Sequence, residues 1–272
     1  MITFDVFVKD TSEAQFYKDK LIKEMTLNGL EYSPFSPDYV LIVGGDGAVL
    51  RGVGKFKNRL DKTKFITIHD GTLGFFADFQ KDDIDKIVEI IKNGSIIPTK
   101  LALVEMHIKT LEGKITKLFA LNEVRVQNSI QTLIADVYIN DEYLEKFRGV
   151  GFCICSPSGS TAYNKSLGGA VLKFDLDAFQ VTEMASINHN VYHSLNSSLI
   201  LGRNNVLKIV PLPKSHLEFG ADCDYWINKE VFLKSDDDDI SEILCNLSDK
   251  SAQFIIPDKS TYTNRLKRCF II

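Results

Sequence analysis

Tyr39-Val40-Leu41-Ile42-Val43 is followed by Gly44-Gly45-Asp46-Gly47 and then by Ala48-Val49-Leu50-Arg51. An apolar run, a glycine turn and a stretch able to start a helix predict a strand–loop–helix unit. Glycines let the backbone come close to a ligand, and the free N–H groups of a helix start favour phosphate. Asp46 does not fit simple cradling, because a carboxylate repels phosphate; it fits a base or a metal-linked group beside the phosphate. The loop is not a P-loop, since no Lys-Ser or Lys-Thr pair follows the glycines. It is a poor dinucleotide fingerprint, since Leu50 stands where a third glycine would be. Taken alone, these four residues also suit an ordinary tight turn between strand and helix.

Outward from this loop, the first third of the chain alternates strand and helix patterns. Residues 2–8 read as a strand. Ser12 opens a helix with Gln15 at the capping-box position, Tyr17, Leu21 and Met25 on one side and Gly29 as its stop. Residues 64–69 form a third strand running into a second glycine loop, Asp70-Gly71-Thr72-Leu73-Gly74-Phe75-Phe76. Ile84, Ile87, Val88 and Ile91 mark a helix ending at Asn93-Gly94. The alternation predicts a parallel sheet with helices on its faces, with ligands beyond the carboxyl ends of the strands, where both glycine loops fall.

Near Pro98 the pattern turns mainly β. Residues 104–109, 117–127, 132–139, 206–211 and 225–233 read as strands, with turns at Asn140-Asp141 and Asn228-Lys229, and residues 175–185 as a helix. The run Asp236-Asp237-Asp238-Asp239 after Ser235 reads as a solvated helix start. These shifts divide the chain into an α/β domain over 1–98, a mainly-β domain over 99–234 and a C-terminal segment, 235–272, that returns to the first domain or forms a subunit contact.

Composition sets bounds. The chain has 272 residues, 44% hydrophobic and 25% charged, as expected of a soluble globular protein with a sizeable core. A net charge of −4 argues against a broad nucleic-acid-binding face. No basic start followed by a long apolar segment predicts a signal peptide, and no apolar run approaches the ~20 residues of a membrane span. Five scattered cysteines read as reduced cytosolic thiols, so a cytoplasmic location is expected. Cys153 and Cys155 share a strand face and do not make a metal knuckle. His189 and His193 are four apart but lack the glutamate of a zinc helix, while His69 stands beside the second glycine loop.

Residues 156–170 read Ser-Pro-Ser-Gly-Ser-Thr-Ala-Tyr-Asn-Lys-Ser-Leu-Gly-Gly-Ala. Hydroxyls, glycines and an amide in one stretch suit a loop wrapped around a polar ligand. Ser160 or Thr161 is equally readable as a helix cap. Ser158-Gly159 lacks the nucleophile elbow of serine hydrolases.

Gly44-Gly45-Asp46-Gly47, then Leu121-Asn122-Glu123-Val124, then the 156–170 loop resemble, in that order, the NAD kinase family in its short bacterial form. The glycine loop alone is shared with diacylglycerol-kinase-like and phosphofructokinase-like enzymes; the fifteen-residue loop is what singles out NAD kinases. The resemblance spans roughly residues 38 to 230. It implies an α/β N-terminal Rossmann-like domain, a mainly-β, β-sandwich-like C-terminal domain, a site between domains and a homo-oligomer, dimer or tetramer. The implied reaction moves a phosphoryl group from ATP, or another donor, to the 2′-hydroxyl of the adenosine ribose of NAD, giving NADP, with Mg²⁺ or another divalent cation accompanying the donor. Neither nucleic acid nor membrane is an implied partner.

By position, the resemblance makes Asp46 the general base and sets Gly44, Gly45 and Gly47 at the donor's phosphates. Asn122, Thr161 and Ala162 match positions at the adenine, with Phe75 nearby, and Glu123 a ribose position. Ser158, Tyr163, Asn164 and Ser166 fall in the dinucleotide loop. Lys165 there is either a phosphate-facing cation or a surface lysine. Ala185 matches a position near the nicotinamide, and Arg148 and Asp222 stand in matching contexts. Two positions depart from the family. Ala48 replaces a threonine after the glycine loop, and Val150 replaces an acid that would accept a hydrogen bond from the nicotinamide amide.

Overall fold

The computed structural model describes residues 1–71, 74–212, 217–222, 240–257 and 261–271. The expected strand at 225–233, the turn Asn228-Lys229, the run Asp236 to Asp239, Cys223 and His216 lie outside the described residues.

In chain order the elements are β1 (Thr3–Phe7), α1 (Ser12–Leu27), β2 (Glu31–Tyr32), β3 (Tyr39–Val43), α2 (Asp46–Lys55), β4 (Lys64–Ile68), α3 (Ile84–Asn93) and β5 (Thr99–Thr110). There follow β6 (Ile115–Ala120), β7 (Glu123–Gln127), β8 (Leu133–Ile139), β9 (Glu142–Gly149) and β10 (Gly151–Cys155). A 3₁₀ turn (Ser158–Thr161) and α4 (Tyr163–Ser166) precede β11 (Ala178–Met184), β12 (Leu199–Gly202), β13 (Leu207–Pro211), β14 (Glu218–Ala221), β15 (Ile240–Phe254) and α5 (Tyr262–Phe270). The chain folds as two compact units, one of residues 1–101 with 250–272 and the other of residues 102–249.

The first unit is an α/β layer structure. Its strands run β2-β1-β3-β4, all parallel, and Gln253 and Phe254 of β15 extend the sheet beside β4. All five residues of β3 are buried, as expected of a strand flanked in-plane by β1 and β4 and covered on its faces. Helix α1 buries Leu21 and Met25, and α3 buries Ile84, Ile87, Val88 and Ile91 in the same core as Phe4, Leu41 and Ile66. The capping residue of α1 is Thr11, one position before the expected Ser12: its hydroxyl accepts from the Ala14 N–H at 3.3 Å. Gly94 ends α3 with φ 58°, the left-handed conformation a glycine reaches without cost.

The second unit is a sandwich of antiparallel sheets. One sheet is ordered β12-β11-β10-β7-β14; the other runs β15-β13-β8-β9, with β5 beside β15 and β6 beside β5. One apolar core holds residues from both, including Val124, Ile154 and Phe179 from the first and Val104, Val137 and Ile209 from the second. Asn140 (φ 51°) and Asp141 (φ 68°) make the tight hairpin between β8 and β9 with two positive φ angles. The expected α/β unit followed by a β-sandwich-like unit is thus the observed fold class.

Three local expectations are corrected. The stretch at 175–185 holds a strand, not a helix: Ala178–Met184 pairs with β10 on one side, with Cys153 opposite Thr182, and with β12 on the other. Pairing to a fully buried strand buries Phe179 and Val181 in the core and Gln180 and Thr182 on the other face, which outweighs local helix propensity. The single strand read over 117–127 breaks at Leu121-Asn122, and its halves, β6 and β7, join different sheets. Helix α2 starts at Asp46 rather than Ala48, with Gly45 as its cap residue, so the acid of the glycine loop stands in the first helical turn.

Candidate active site

In the first unit, β3 delivers the chain to Gly44, whose φ of 146° only glycine adopts readily. A side chain at 44 would also meet the Ala48 Cβ at 2.7 Å, so the residue standing where the family has threonine packs directly on the loop. The acid follows at once. Asp46 Oδ2 accepts the Phe75 N–H at 2.9 Å and Oδ1 accepts the Phe76 N–H at 3.0 Å. A Cβ on Gly74 would come within 2.2 Å of Asp46 Oδ1, so the carboxylate rests on bare backbone. An ionised carboxylate has about four acceptor sites, and the described residues take up two of them. An acid in the first turn also sits at the positive end of the helix dipole.

The Phe75 ring lies among Phe76, Tyr262 and Phe270, with centroids 6.0 to 6.4 Å away. Helix α5 holds this turn from behind. Arg265 of α5, only 1% exposed, donates to the Phe75 carbonyl at 2.8 Å and pairs with buried Asp78 at 2.7 Å. Arg268 donates to the carbonyls of Gly74, Phe75 and Ala77 at 2.8 to 3.3 Å. The only available signal was the Arg265-x-x-Arg268 spacing, which puts two guanidinium groups on one helix face. His69, just after β4, donates its backbone N–H to the Phe79 carbonyl, and its ring Nδ1 is enclosed without a hydrogen-bond partner among the described residues.

In the second unit the site forms where β6 breaks into β7. Asp222 accepts the N–H groups of Leu121, Asn122 and Glu123, so one carboxylate fixes the kink. The hydroxyl-rich loop lies on it: Ser156 donates its hydroxyl to the Leu121 carbonyl and its N–H to that of Asn122. A Cβ on Gly159 would stand 2.0 Å from the Asn122 carbonyl oxygen, an approach only glycine permits. Thr161 donates to the Ser158 carbonyl at 3.1 Å, and Thr161 and Ala162 are half-buried.

Two acceptors at the kink, Asn122 Oδ1 and Glu123 Oε2, are buried with no hydrogen-bond partner among the described residues. Unpaired buried acceptors are costly, and a ligand bringing N–H or O–H donors would satisfy them. Burial, reinforced by the neighbouring Asp222 and opposed by Arg125, pushes the Glu123 carboxyl up to about 7. Its folded value lies above its unfolded one, so its stabilising share is complete below the unfolded value and is lost as pH rises through 7. The expected result is that Glu123→Gln melts above the parent at pH 8, by about 1–3 kcal/mol, with the gap closing by pH 5. Thermal melts across that range check it.

The remaining expected site residues divide by position. Ser158 is 2% exposed and Asn164 fully buried. Asn164 accepts from the Thr182 hydroxyl at 2.7 Å, so this amide braces the loop against β11. Gln180 on the same strand bonds both the N–H and the carbonyl of Ala170. Tyr163 is 37% exposed, with the Arg125 guanidinium 5.1 Å from its ring centre; Lys165 and Ser166 are exposed. Ala185, exposed at a φ of 46°, follows β11, and the Ile187 N–H next to it reaches the Arg148 carbonyl at 2.7 Å. The Arg148 guanidinium stacks 4.0 Å from the Tyr192 ring centre. A cavity of about 620 Å³ joins Ala185 to Leu167, Gly168 and Ala170 of the loop.

A phosphate-suited glycine loop carrying one fixed acid, and a hydroxyl-rich loop beside two unpaired acceptors, define a nucleotide-handling protein of the α/β-plus-β-sandwich kind. The ATP-NAD kinase N-terminal domain model matches residues 7–96, and the ATP-NAD kinase C-terminal domain model matches residues 121–229. The NAD kinase of Lactobacillus johnsonii is 36% identical over 251 residues, covering 92% of this chain and 90% of its own. That of Geobacillus stearothermophilus is 38% identical over 245 residues, covering 89% and 86%. Among solved structures, yeast NADH kinase complexed with NADH superposes with a TM-score of 0.81 at 18% identity, covering 99% of this chain and 87% of that one. An NAD kinase from Archaeoglobus fulgidus in complex with ATP gives 0.72 at 18% identity, covering 98% and 99%. The chain belongs to the NAD kinase family.

Proposed function

We infer that this chain transfers the terminal phosphoryl group of ATP to the 2′-hydroxyl of the adenosine ribose of NAD, with Asp46 as the base. The new bond joins the ribose oxygen to phosphorus, the bond from that phosphorus to the bridging oxygen of ADP breaks, and the hydroxyl proton passes to Asp46. A sugar hydroxyl is a weak nucleophile, and phosphoryl transfer has a loose transition state, so alignment and charge neutralisation supply most of the rate. The observation that carries the reading is the Asp46 carboxylate, held by two backbone N–H groups at a helix start within a glycine loop.

Gly44, Gly45 and Gly47 face the donor's phosphates in this reading. The unpaired acceptors favour Asn122 at the adenine amino group and Glu123 at a ribose hydroxyl. Thr161, Ala162, Tyr163 and Ser166 line the dinucleotide. Ser158 and Asn164 shape their loop from inside, and Asp222 fixes the kink. Ala185 and Arg148 serve the nicotinamide end.

Magnesium fits this donor set only as a companion of the phosphates. Among the described residues no cluster of three or more His, Cys, Asp or Glu is placed to hold a metal ion. Magnesium characteristically keeps several waters and takes one or two carboxylates plus substrate phosphates. Asp46 would meet that shell only through its waters, keeping an oxygen for the ribose proton, and the ion would supply charge neutralisation on the donor. No helix among the described residues is long and apolar enough to cross a membrane. We place the enzyme in the cytoplasm, as a homo-oligomer.

The test is NADP formation by purified protein from NAD with ATP, another nucleoside triphosphate or polyphosphate, with magnesium and with chelator. NADP that appears only with a donor and magnesium is expected; no NADP with any donor overturns the reading. Val150 gives a finer check. Its N–H and carbonyl are both engaged, with Met184 and Asn128, so its side chain alone is free to change. Val150→Asp restores an acceptor for the nicotinamide amide and should lower the KM for NAD more than it changes kcat. An unchanged or higher KM would show the residue is misplaced.

A further inference from the structure

Helix α5 reaches the catalytic loop through one peptide segment. The N–H groups of Phe75 and Phe76 hold the two Asp46 oxygens. The carbonyls of Gly74, Phe75 and Ala77 in the same segment all point back into guanidinium groups of α5. Arg265 supplies one bond and anchors the end of the segment through Asp78, both side chains being 1% exposed. Arg268 supplies three. A peptide whose carbonyls are fixed has its N–H directions fixed too, because each peptide unit is planar. Gly74 leaves no slack, since its backbone already abuts Asp46 Oδ1.

We propose that Arg265 and Arg268 are positioning residues for phosphoryl transfer, aiming the Asp46 carboxylate through the 74–78 segment. The proposal rests on Asp46 being the base. Arginine suits the task because its planar fork serves several carbonyls at once, which a lysine ammonium on a flexible stem does not. Misplacing a reacting group by ~1 Å costs on the order of 10²-fold in rate. The helix therefore acts on turnover without touching substrate.

The test compares Arg268→Gln, Arg268→Lys and Arg265→Lys with the parent and with Asp46→Asn, all in the full chain. Arg268→Gln is expected to lower kcat by roughly 10–100-fold, with the KM values for NAD and ATP unchanged within about twofold. Arg268→Lys, able to hold one carbonyl, should recover part of the loss. In ¹⁵N spectra the Phe75 and Phe76 amides should shift in Arg268→Gln and Arg268→Lys and exchange faster, while amides of the 156–170 loop stay in place. A merely structural role would lower the melting temperature and the active fraction but leave kcat per folded molecule intact. Arg268→Gln, or Arg268→Lys should the glutamine variant not fold, with parental kcat and unmoved Phe75 and Phe76 amides overturns the proposal while Asp46→Asn stays inactive. Full activity in Asp46→Asn instead overturns the base assignment and this proposal with it.

Discussion

Asp46→Asn is expected to lower kcat for NADP formation on the order of 10²–10⁴-fold while the protein still folds and still binds NADP. The size of the effect separates chemistry from structure. Asparagine keeps one acceptor oxygen for the Phe75 or Phe76 N–H and turns its amino group toward the other, so about one hydrogen bond is lost. That loss is worth ~1 kcal/mol. A fall of 10²–10⁴-fold corresponds to about 3–5 kcal/mol in the barrier, beyond what the lost bond explains. Initial rates with calorimetric NADP binding and a thermal melt on the same sample provide the check. A variant with more than a tenth of parental turnover would show that another group takes the proton.

Gly159→Ala is expected to produce the complementary defect, a KM for NAD raised roughly 10–100-fold with a smaller change in kcat. The added Cβ would lie 2.0 Å from the Asn122 carbonyl oxygen and 2.3 Å from its carbon. Both are backbone atoms, so no rotamer change relieves the clash. The Asn122-Glu123 kink is fixed by Asp222 through three N–H groups, so the 158–161 turn must move instead. Asn122 Oδ1 and Glu123 Oε2 would then face a displaced loop. Measured kcat and KM over a range of NAD concentrations decide it; an unchanged KM in a folded variant would mean that this loop does not border the dinucleotide.

The first unit was legible because its signals are local. The Tyr39–Val43 run is apolar throughout since neighbours cover it on all sides, and glycine marks the turn after it. The second unit was legible in class but not in detail. The apolar pattern runs straight through Leu121, so nothing local announces that the strand breaks there; the break is imposed by Asp222, a hundred residues away. Strand β11 reads as a helix because its inner and outer faces are both buried, one in the core and the other against the loop, which removes the alternation that marks a strand. Strand β9 went unseen for the opposite reason, since Glu142, Glu145, Lys146 and Arg148 give an edge strand few apolar residues.

The candidate site shows the same division. Asp46, Asn122 and Glu123 stand in short motifs that reveal themselves. The groups that aim them lie far along the chain: Arg265 and Arg268 sit in a segment readable only as returning to the first domain or forming a subunit contact, and Asp222 stands in a matching family context with no role legible until folding brings it to the backbone of residues 121–123. Asn164 looks like a ligand-binding amide in sequence, yet its partners are Thr182 and Ala170.

The central claim is that one aspartate, clamped by the amides of residues 75 and 76, takes the proton of the ribose hydroxyl. A crystal structure with NAD and a non-hydrolysable ATP analogue tests it most directly. The account predicts an Asp46 oxygen about 2.6–3.2 Å from the ribose 2′-oxygen, with the Phe75 and Phe76 amides still on the carboxylate. An NAD bound with its 2′-oxygen out of reach of Asp46 and beside another acid would contradict it.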